Sequence, residues 1–326
     1  MEVANKMRKI DYIRISVTDR CNLRCLYCMP EEGVDLMKHK DLMTFEEVEL
    51  LVRSIVPLGI KKIRLTGGEP LVRMGIVELI KKLRGIKEIE DITLTTNGIL
   101  LAEMAVDLKA AGLSRVNVSL DTLKADRFKE ITRWGSLEKV LAGIDKSLEV
   151  GLTPVKINVV AIKGFNDDEF LDLVDFAFNK GVQVRFIELM PIGESDTEAF
   201  LKHYPIDDIK RLIETRYELK ETKAIKTNGP AENYDLVGGK GSVGFIGALS
   251  HKFCSSCNRL RVTADGKMRP CLHKDIEYDV LELIRKGASM EEVRAFVEEI
   301  ILGKPEGHDM EKGWGDQKRK MSQIGG

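Results

Sequence analysis

The sequence predicts an α/β fold, a partial (β/α)6 barrel (an incomplete TIM barrel) followed by a C-terminal extension of different texture. Three observations carry that expectation. Short runs rich in β-branched residues recur six times, amphipathic segments of helical period separate them, and apolar and polar residues alternate within them. In order the runs are YIRISV (12–17), KIRLT (62–66), DITLTT (91–96), RVNVSL (115–120), VKINVVAI (155–162) and QVRFIEL (183–189). The helical segments are 44–56, 76–84, 100–111, 136–150 and 168–179; Thr44 with Glu47 predicts a capping box at the head of the first. Strands alternating with helices build a parallel sheet, and six βα units fall short of the eight that close a full barrel.

The alternation assigns the faces. Ile13, Ile15 and Val17 oppose Tyr12, Arg14 and Ser16; Ile63 and Leu65 oppose Arg64 and Thr66; Ile92 and Leu94 oppose Thr93 and Thr95. Val116, Val118 and Leu120 likewise oppose Asn117 and Ser119, and Val155, Ile157 and Val159 oppose Lys156 and Asn158. Helices cover the apolar face, so the polar face lines the lumen. A closed barrel ordinarily fills its interior with branched apolar side chains. A lumen carrying Arg14, Arg64 and Lys156 suits a charged ligand instead. A half-solvated antiparallel sheet alternates in the same way, but it would not need the intervening helices.

Past about residue 216 the chain becomes Gly-rich (NGPAENYDLVGGKGSVGFIGALS), which divides it into 1–216 and 217–326. RLRVTADGKMRPCL reads as a hairpin about Asp265-Gly266, a pairing that sets Cys271 opposite Leu260. A helix is predicted over 290–302, and the basic, Gly-rich end reads by default as a mobile tail.

Composition narrows the function. Lys and Arg number 51 against 52 Asp and Glu, which gives no general attraction to nucleic acid or to an anionic membrane. No apolar h-region opens the chain and no run approaches about 18 apolar residues, so the expected location is cytoplasmic. Six cysteines in a reducing compartment point to metal or redox work.

The cysteines form two triplets, Cys21/Cys25/Cys28 (C-x3-C-x2-C) and Cys254/Cys257/Cys271 (C-x2-C-x13-C), with none left over. Structural zinc takes four ligands and the first triplet has no histidine within it. A [4Fe–4S] cluster held by three thiolates keeps one iron open for a ligand. Three buried, inert cysteines are the bland alternative. The first triplet follows the first strand directly, on the rim where such barrels keep their chemistry. TGGEP (66–70), TTNG (95–98), SLD (119–121) and ELMP (188–191) follow later strands on the same rim. For the second triplet, His273 leaves a Cys3His zinc site open as a rival. Between its ligands, Arg259 and Arg261 share one strand face.

C-x3-C-x2-C with an aromatic before its last cysteine, followed by GGEP, resembles the radical S-adenosylmethionine superfamily. The second triplet with CNRLR and the ending MSQIGG narrows the resemblance to the GTP 3′,8-cyclases of molybdenum cofactor biosynthesis, over about Asp11 to Gly326. The resemblance implies two [4Fe–4S] clusters, the second carried by the C-terminal extension. It implies that Tyr27, Gly68, Ser119 and Met190 contact S-adenosylmethionine, and that Arg14, Arg64, Thr95, Lys156, Arg259 and Arg261 contact GTP, with Arg185 a further candidate. It further implies that Gly325 and Gly326 enter the active site. The expected partners are the GTP substrate, an electron donor and a cyclic pyranopterin monophosphate synthase that takes the product; a homodimer is compatible with it, nucleic acid and membrane are not. Two rivals are a radical enzyme acting on a peptide and an iron–sulfur electron carrier without catalysis. The first usually carries more C-terminal cysteines, and the second needs neither a polar lumen nor GGEP.

Overall fold

The computed structural model describes residues 8–191, 201–222, 229–309 and 319–325. Six strands form where the alternation placed them: β1 Tyr12–Ser16, β2 Lys62–Thr66, β3 Asp91–Thr96, β4 Arg115–Ser119, β5 Lys156–Ala161 and β6 Gln183–Glu188. The helices Phe45–Ile55, Ile76–Arg84, Leu101–Ala110, Leu137–Glu149 and Phe170–Lys180 run between them. Thr44 caps the first, accepting from Glu47 N–H while Glu47 reaches back to Thr44 N–H. Each strand from β1 to β6 pairs in parallel with the next.

The extension does not stand apart from this sheet. It supplies β7 Leu219–Glu221, β8 Glu232–Leu236, β9 Ser242–Ile246, β10 Arg259–Val262, β11 Lys267–Arg269 and β12 Tyr278–Asp279. β9 adds in parallel to β6, and β10 in parallel to β1. The result is one twelve-stranded sheet in the order β12-β11-β10-β1-β2-β3-β4-β5-β6-β9-β8-β7. Among the described residues its edge strands, β12 and β7, do not pair with each other, so the barrel stays open.

The apolar faces are buried as expected. Ile13, Ile15, Ile63, Leu65, Ile92, Leu94, Val116, Val118, Ile157 and Val159 are all fully buried in one core beneath the helices. Truncating one of them, Ile63→Ala for example, should cost about 2–5 kcal/mol, because the helices cannot collapse onto the gap.

The hairpin differs from its predicted register. Arg261 pairs with Arg269 and Val262 with Met268, which brings Pro270 rather than Cys271 to the level of Leu260. The turn holds three residues, not two: Thr263 N–H donates to the Lys267 carbonyl at 3.0 Å, and Gly266 takes φ +70°. A three-residue turn ending in a left-handed glycine shifts the pairing by one. Gly266 also lies against Leu281, whose Cβ would stand 2.3 Å from any added Cβ. The helix Met290–Leu302 forms as predicted, and among the described residues no helix is long and apolar enough to cross a membrane.

Candidate active site

The register sets three arginines in a row across the lumen. Arg14 on β1 is the partner of Arg64 on β2 and of Arg261 on β10. The residues themselves are held by few neutral groups: Arg64 Nε donates to Thr93 Oγ1 at 3.3 Å, and Arg185 Nη2 to Asn158 Oδ1 at 2.5 Å. Burial and the neighbouring guanidinium groups depress them all. Arg14 falls well below its ordinary value through burial and then Arg261; Arg261 falls to about 10 through burial and Arg259. Arg185 falls to about 9 through burial and Arg64. Lys156 falls to about 6, through burial first and then Arg185. A basin of crowded, dehydrated cations is relieved by an anion.

Above this row lies a cavity of about 340 Å³, within the range of small-molecule sites. All six cysteines line it, so the fold brings the two triplets to one space. Tyr27, Gly68, Ser119 and Met190 line it too, as do Arg14, Arg64, Thr95, Arg185, Arg259 and Arg261. Lys156 does not. It is buried below the wall, where Arg185, Arg115 and Arg64 act on it through space. Gly325 reaches the arginine row, its carbonyl accepting from Arg261 Nη1 at 2.9 Å, whereas Gly326 lies outside the described residues.

Each triplet closes through a tight turn. Cys28 N–H donates to the Cys25 carbonyl at 2.9 Å, and Cys257 N–H to the Cys254 carbonyl at 3.2 Å. The GGEP loop packs against the first: Gly68 N–H donates to the Thr18 carbonyl and Glu69 N–H to that of Arg20, each at 2.8 Å. A Cβ on Gly68 would lie 2.4 Å from the Arg20 carbonyl oxygen. The glycine therefore serves the approach of two rim loops, besides any ligand.

Several residues at the site were given no role by the sequence, although Glu69, Asn97 and Asp121 lie in the quoted rim loops TGGEP, TTNG and SLD. Glu69 is buried and pushed up to about 7 by that burial, although it accepts from Asn97 N–H (2.6 Å), Leu71 N–H (3.0 Å) and Thr96 Oγ1 (2.8 Å). It ties the loop after β2 to the loop after β3. Asp121, raised to about 6 by burial, accepts from the Tyr27 hydroxyl at 2.7 Å and from Val160 N–H at 2.8 Å. Asn97 Nδ2 approaches Cys21 Sγ at 3.8 Å. Lys304, just past the helix Met290–Leu302, lines the cavity and donates to the carbonyls of Arg259 (2.9 Å) and Pro270. Arg8 grips the same region, donating to the carbonyls of Cys254 (2.7 Å), Lys304 (3.0 Å) and Pro305 (2.6 Å). Position on the rim could have flagged Asp121 and Asn97; nothing local marks Lys304 or Arg8.

The donor set fits iron–sulfur chemistry. Each triplet offers three soft sulfur donors, and among the described residues no three Cys, His, Asp or Glu side chains converge as a single ion requires. A zinc ion draws four donors into one tetrahedron, whereas the irons of a cluster occupy separate corners. His273 is not among the residues that line the cavity. Buried polar atoms without a partner among the described residues, Tyr12 Oη, Arg14 Nε, Thr95 Oγ1 and Arg185 Nε, belong to residues of the cavity wall and fit a polar ligand.

Residues 15–177 match the family model for the radical SAM superfamily, and 182–310 that for Molybdenum Cofactor Synthesis C. The chain is 52% identical over 319 residues to a GTP 3′,8-cyclase of Moorella thermoacetica, with 98% of each chain covered. It is 49% identical over 324 residues to a GTP 3′,8-cyclase of Listeria monocytogenes, covering 97% of this chain and 96% of that one. Its fold is similar to that of Streptococcus suis SuiB bound to S-adenosylmethionine, with a TM-score of 0.58, 17% identity, and coverage of 89% of this chain and 68% of the other.

Proposed function

Because the chain belongs to the GTP 3′,8-cyclase family of the radical SAM superfamily, we propose that the cavity seats S-adenosylmethionine and GTP together, between two [4Fe–4S] clusters. The reaction of the family converts GTP to (8S)-3′,8-cyclo-7,8-dihydroguanosine 5′-triphosphate, the first step of molybdenum cofactor biosynthesis, and the chain is an enzyme of that kind. Iron–sulfur and S-adenosylmethionine chemistry come with membership of the superfamily. When bound, the first cluster would supply one-electron reduction of S-adenosylmethionine and thereby hydrogen-atom chemistry at C3′ of GTP, and closing C3′ onto C8 would need one further electron and a proton to reach the 7,8-dihydro product.

In this reading Cys21, Cys25 and Cys28 hold the first cluster, and Tyr27, Gly68, Ser119 and Met190 hold S-adenosylmethionine against it. Asp121 fixes Tyr27, and Glu69 fixes the GGEP loop. Cys254, Cys257 and Cys271, on the part of the chain assigned to 217–326, hold the second cluster. Arg14, Arg64, Arg185, Arg259 and Arg261 take the triphosphate, since guanidinium groups give charge-assisted, paired contacts to phosphate oxygens. Thr95 adds a hydroxyl, and Lys156 acts from beneath the wall. Gly325 completes the wall at Arg261. The protein's share of the chemistry is geometry and dryness, because a misplaced primary radical attacks the wrong C–H bond. An electron donor and a synthase that accepts the cyclised product are the partners this chemistry needs.

One observation carries the reading: both triplets and the Arg261–Arg14–Arg64 row face a single cavity. The test is anaerobic incubation of the iron-loaded chain with reductant, S-adenosylmethionine and GTP. Cyclised nucleotide and 5′-deoxyadenosine should form together and depend on GTP. 5′-Deoxyadenosine formed equally well without GTP, with no cyclised nucleotide, would overturn the reading.

A further inference from the structure

One wall of the cavity comes from the far end of the chain. The helix Met321–Ile324 lines it through Met321 and Ser322, and Ile324 is buried against Met190, Leu249 and Leu272. Gly325 follows at φ +84° and meets Arg261. A Cβ on it would stand 2.7 Å from Thr66 Oγ1 and 2.9 Å from Ser16 Cβ, so the backbone passes where no larger residue fits.

A single helical turn does not hold itself in water, and one buried isoleucine fixes a depth but not a direction. Arg319 supplies the direction. Its Nη1 donates to Asp265 Oδ1 at 3.1 Å and its Nη2 to Asp265 Oδ2 at 2.8 Å. Its Nε lies 2.6 Å from Glu277 Oε1, and Nη2 donates to Glu277 Oε2 at 3.0 Å. All three side chains are less than a quarter exposed, at 17%, 19% and 23% for Arg319, Asp265 and Glu277. Asp265 stands at the tip of the β10–β11 hairpin, the strand pair that presents Arg259 and Arg261. Glu277 also pairs with Arg269, whose guanidinium donates to the carbonyls of Leu272 and Lys274, just past Cys271.

We propose that Arg319 is the positioning residue of the C-terminal tail: its guanidinium, gripped by Asp265 and Glu277, references the tail to the hairpin and thereby sets where Gly325 meets Arg261. A fork held by two carboxylates fixes angle as well as distance, which a lysine ammonium does not. The inference rests on the reading that the tail serves the cyclisation.

The experiment uses the full-length, cluster-loaded protein with Arg319→Ala, Arg319→Lys and Asp265→Asn, the double variant Arg319→Ala/Asp265→Asn, and a chain lacking Gly325 and Gly326. Two quantities are read: amide hydrogen exchange over 321–325, and the ratio of cyclised nucleotide to 5′-deoxyadenosine. Arg319→Ala should speed exchange there by about tenfold or more while 259–269 stays protected, and should lower the ratio. Arg319→Lys should recover little of either, and the double variant should be no worse than Arg319→Ala alone. Unchanged exchange over 321–325 in Arg319→Ala overturns the proposal, whatever happens to the product. Faster exchange in Arg319→Ala, with a normal ratio both there and in the chain lacking the two glycines, overturns instead the underlying reading of the tail and leaves Arg319 as its anchor.

Discussion

The two cysteine triplets close through similar turns yet sit in opposite electrostatic surroundings. Around the first, burial dominates, and Arg24 near Cys21 does not overcome it. Cys28 is pushed up to about 12 by burial, and Cys25 is raised well above its ordinary value by burial, then Cys28 and Asp121. At the second, burial alone would raise Cys257, but Arg259 and Lys304 more than offset it and hold the thiol at about 7. A CxxC turn therefore fixes only how thiols are spaced. The surroundings differ beyond the turn: Glu69 and Asp121 act on the first triplet, whereas Arg259, Arg261 and Lys304, the two arginines within four residues of Cys257, crowd the second.

The comparison breaks most sharply if the triplets are interchangeable. Replacing Cys254, Cys257 and Cys271 together by Ala should abolish cyclised product, roughly halve the iron, and leave the first site able to bind S-adenosylmethionine. Zinc in the unaltered second site after anaerobic preparation would show that its chemistry has been misassigned.

In the metal-free chain the same contrast should appear as reactivity. Thiolates alkylate and thiols do not, so at neutral pH Cys257 should react with iodoacetamide on the order of a hundredfold faster than Cys28. Peptide mapping after a short pulse gives the order; equal labelling would mean that the cations do not act as described. Changing Lys304 to Met should slow Cys257 and spare Cys28.

Ligand affinity is the next smaller effect. Arg14→Ala should weaken GTP by about 1.5–3 kcal/mol, the range for a hydrogen bond to a charged group, and guanosine far less. Calorimetry with both ligands decides, and equal losses would remove the phosphate role.

The smallest effect concerns Lys156. Burial holds it at about 6, so above that pH it is mostly neutral in the free protein. A triphosphate nearby favours the charged form and raises the value, so binding takes up a proton between the two values. GTP affinity should then fall as pH rises, by about a few-fold per unit, and the slope should flatten in Lys156→Met. A slope identical in the variant would place the proton elsewhere.

The strand pattern made much of this legible. Alternation in YIRISV and KIRLT fixed which face is buried and put Arg14 and Arg64 into the lumen, because a pleated strand leaves no other choice once helices cover one side. The cysteine spacing marked both triplets that line the cavity. Three things were not legible. The Gly-rich stretches carry too little apolar pattern to reveal that β9 and β10 would extend the parallel sheet at both ends. The shift in the hairpin depends on Gly266 taking a left-handed conformation, which Asp-Gly permits in turns of more than one length. Lys304 and Arg8 act on carbonyls across long sequence distances, and a lone cation in a charged chain gives no sign of its target.

The pairing of β1 with both β2 and β10 has a consequence for how the molecule is made. Tyr12 meets Lys62 early in synthesis but must wait for Arg259, near the other end of the chain, before its second edge is covered. Contacts of such high sequence separation form late, since the loop between them must be closed first. The first triplet can therefore leave the ribosome with its β1–β2 platform while the opposite wall of the cavity does not yet exist. Its thiols face solvent through that interval. The first triplet can thus be in place before the barrel is complete, whereas the wall around Cys254 and Cys257, built with β10, Lys304 and Arg8, assembles only once the chain past Lys304 has arrived.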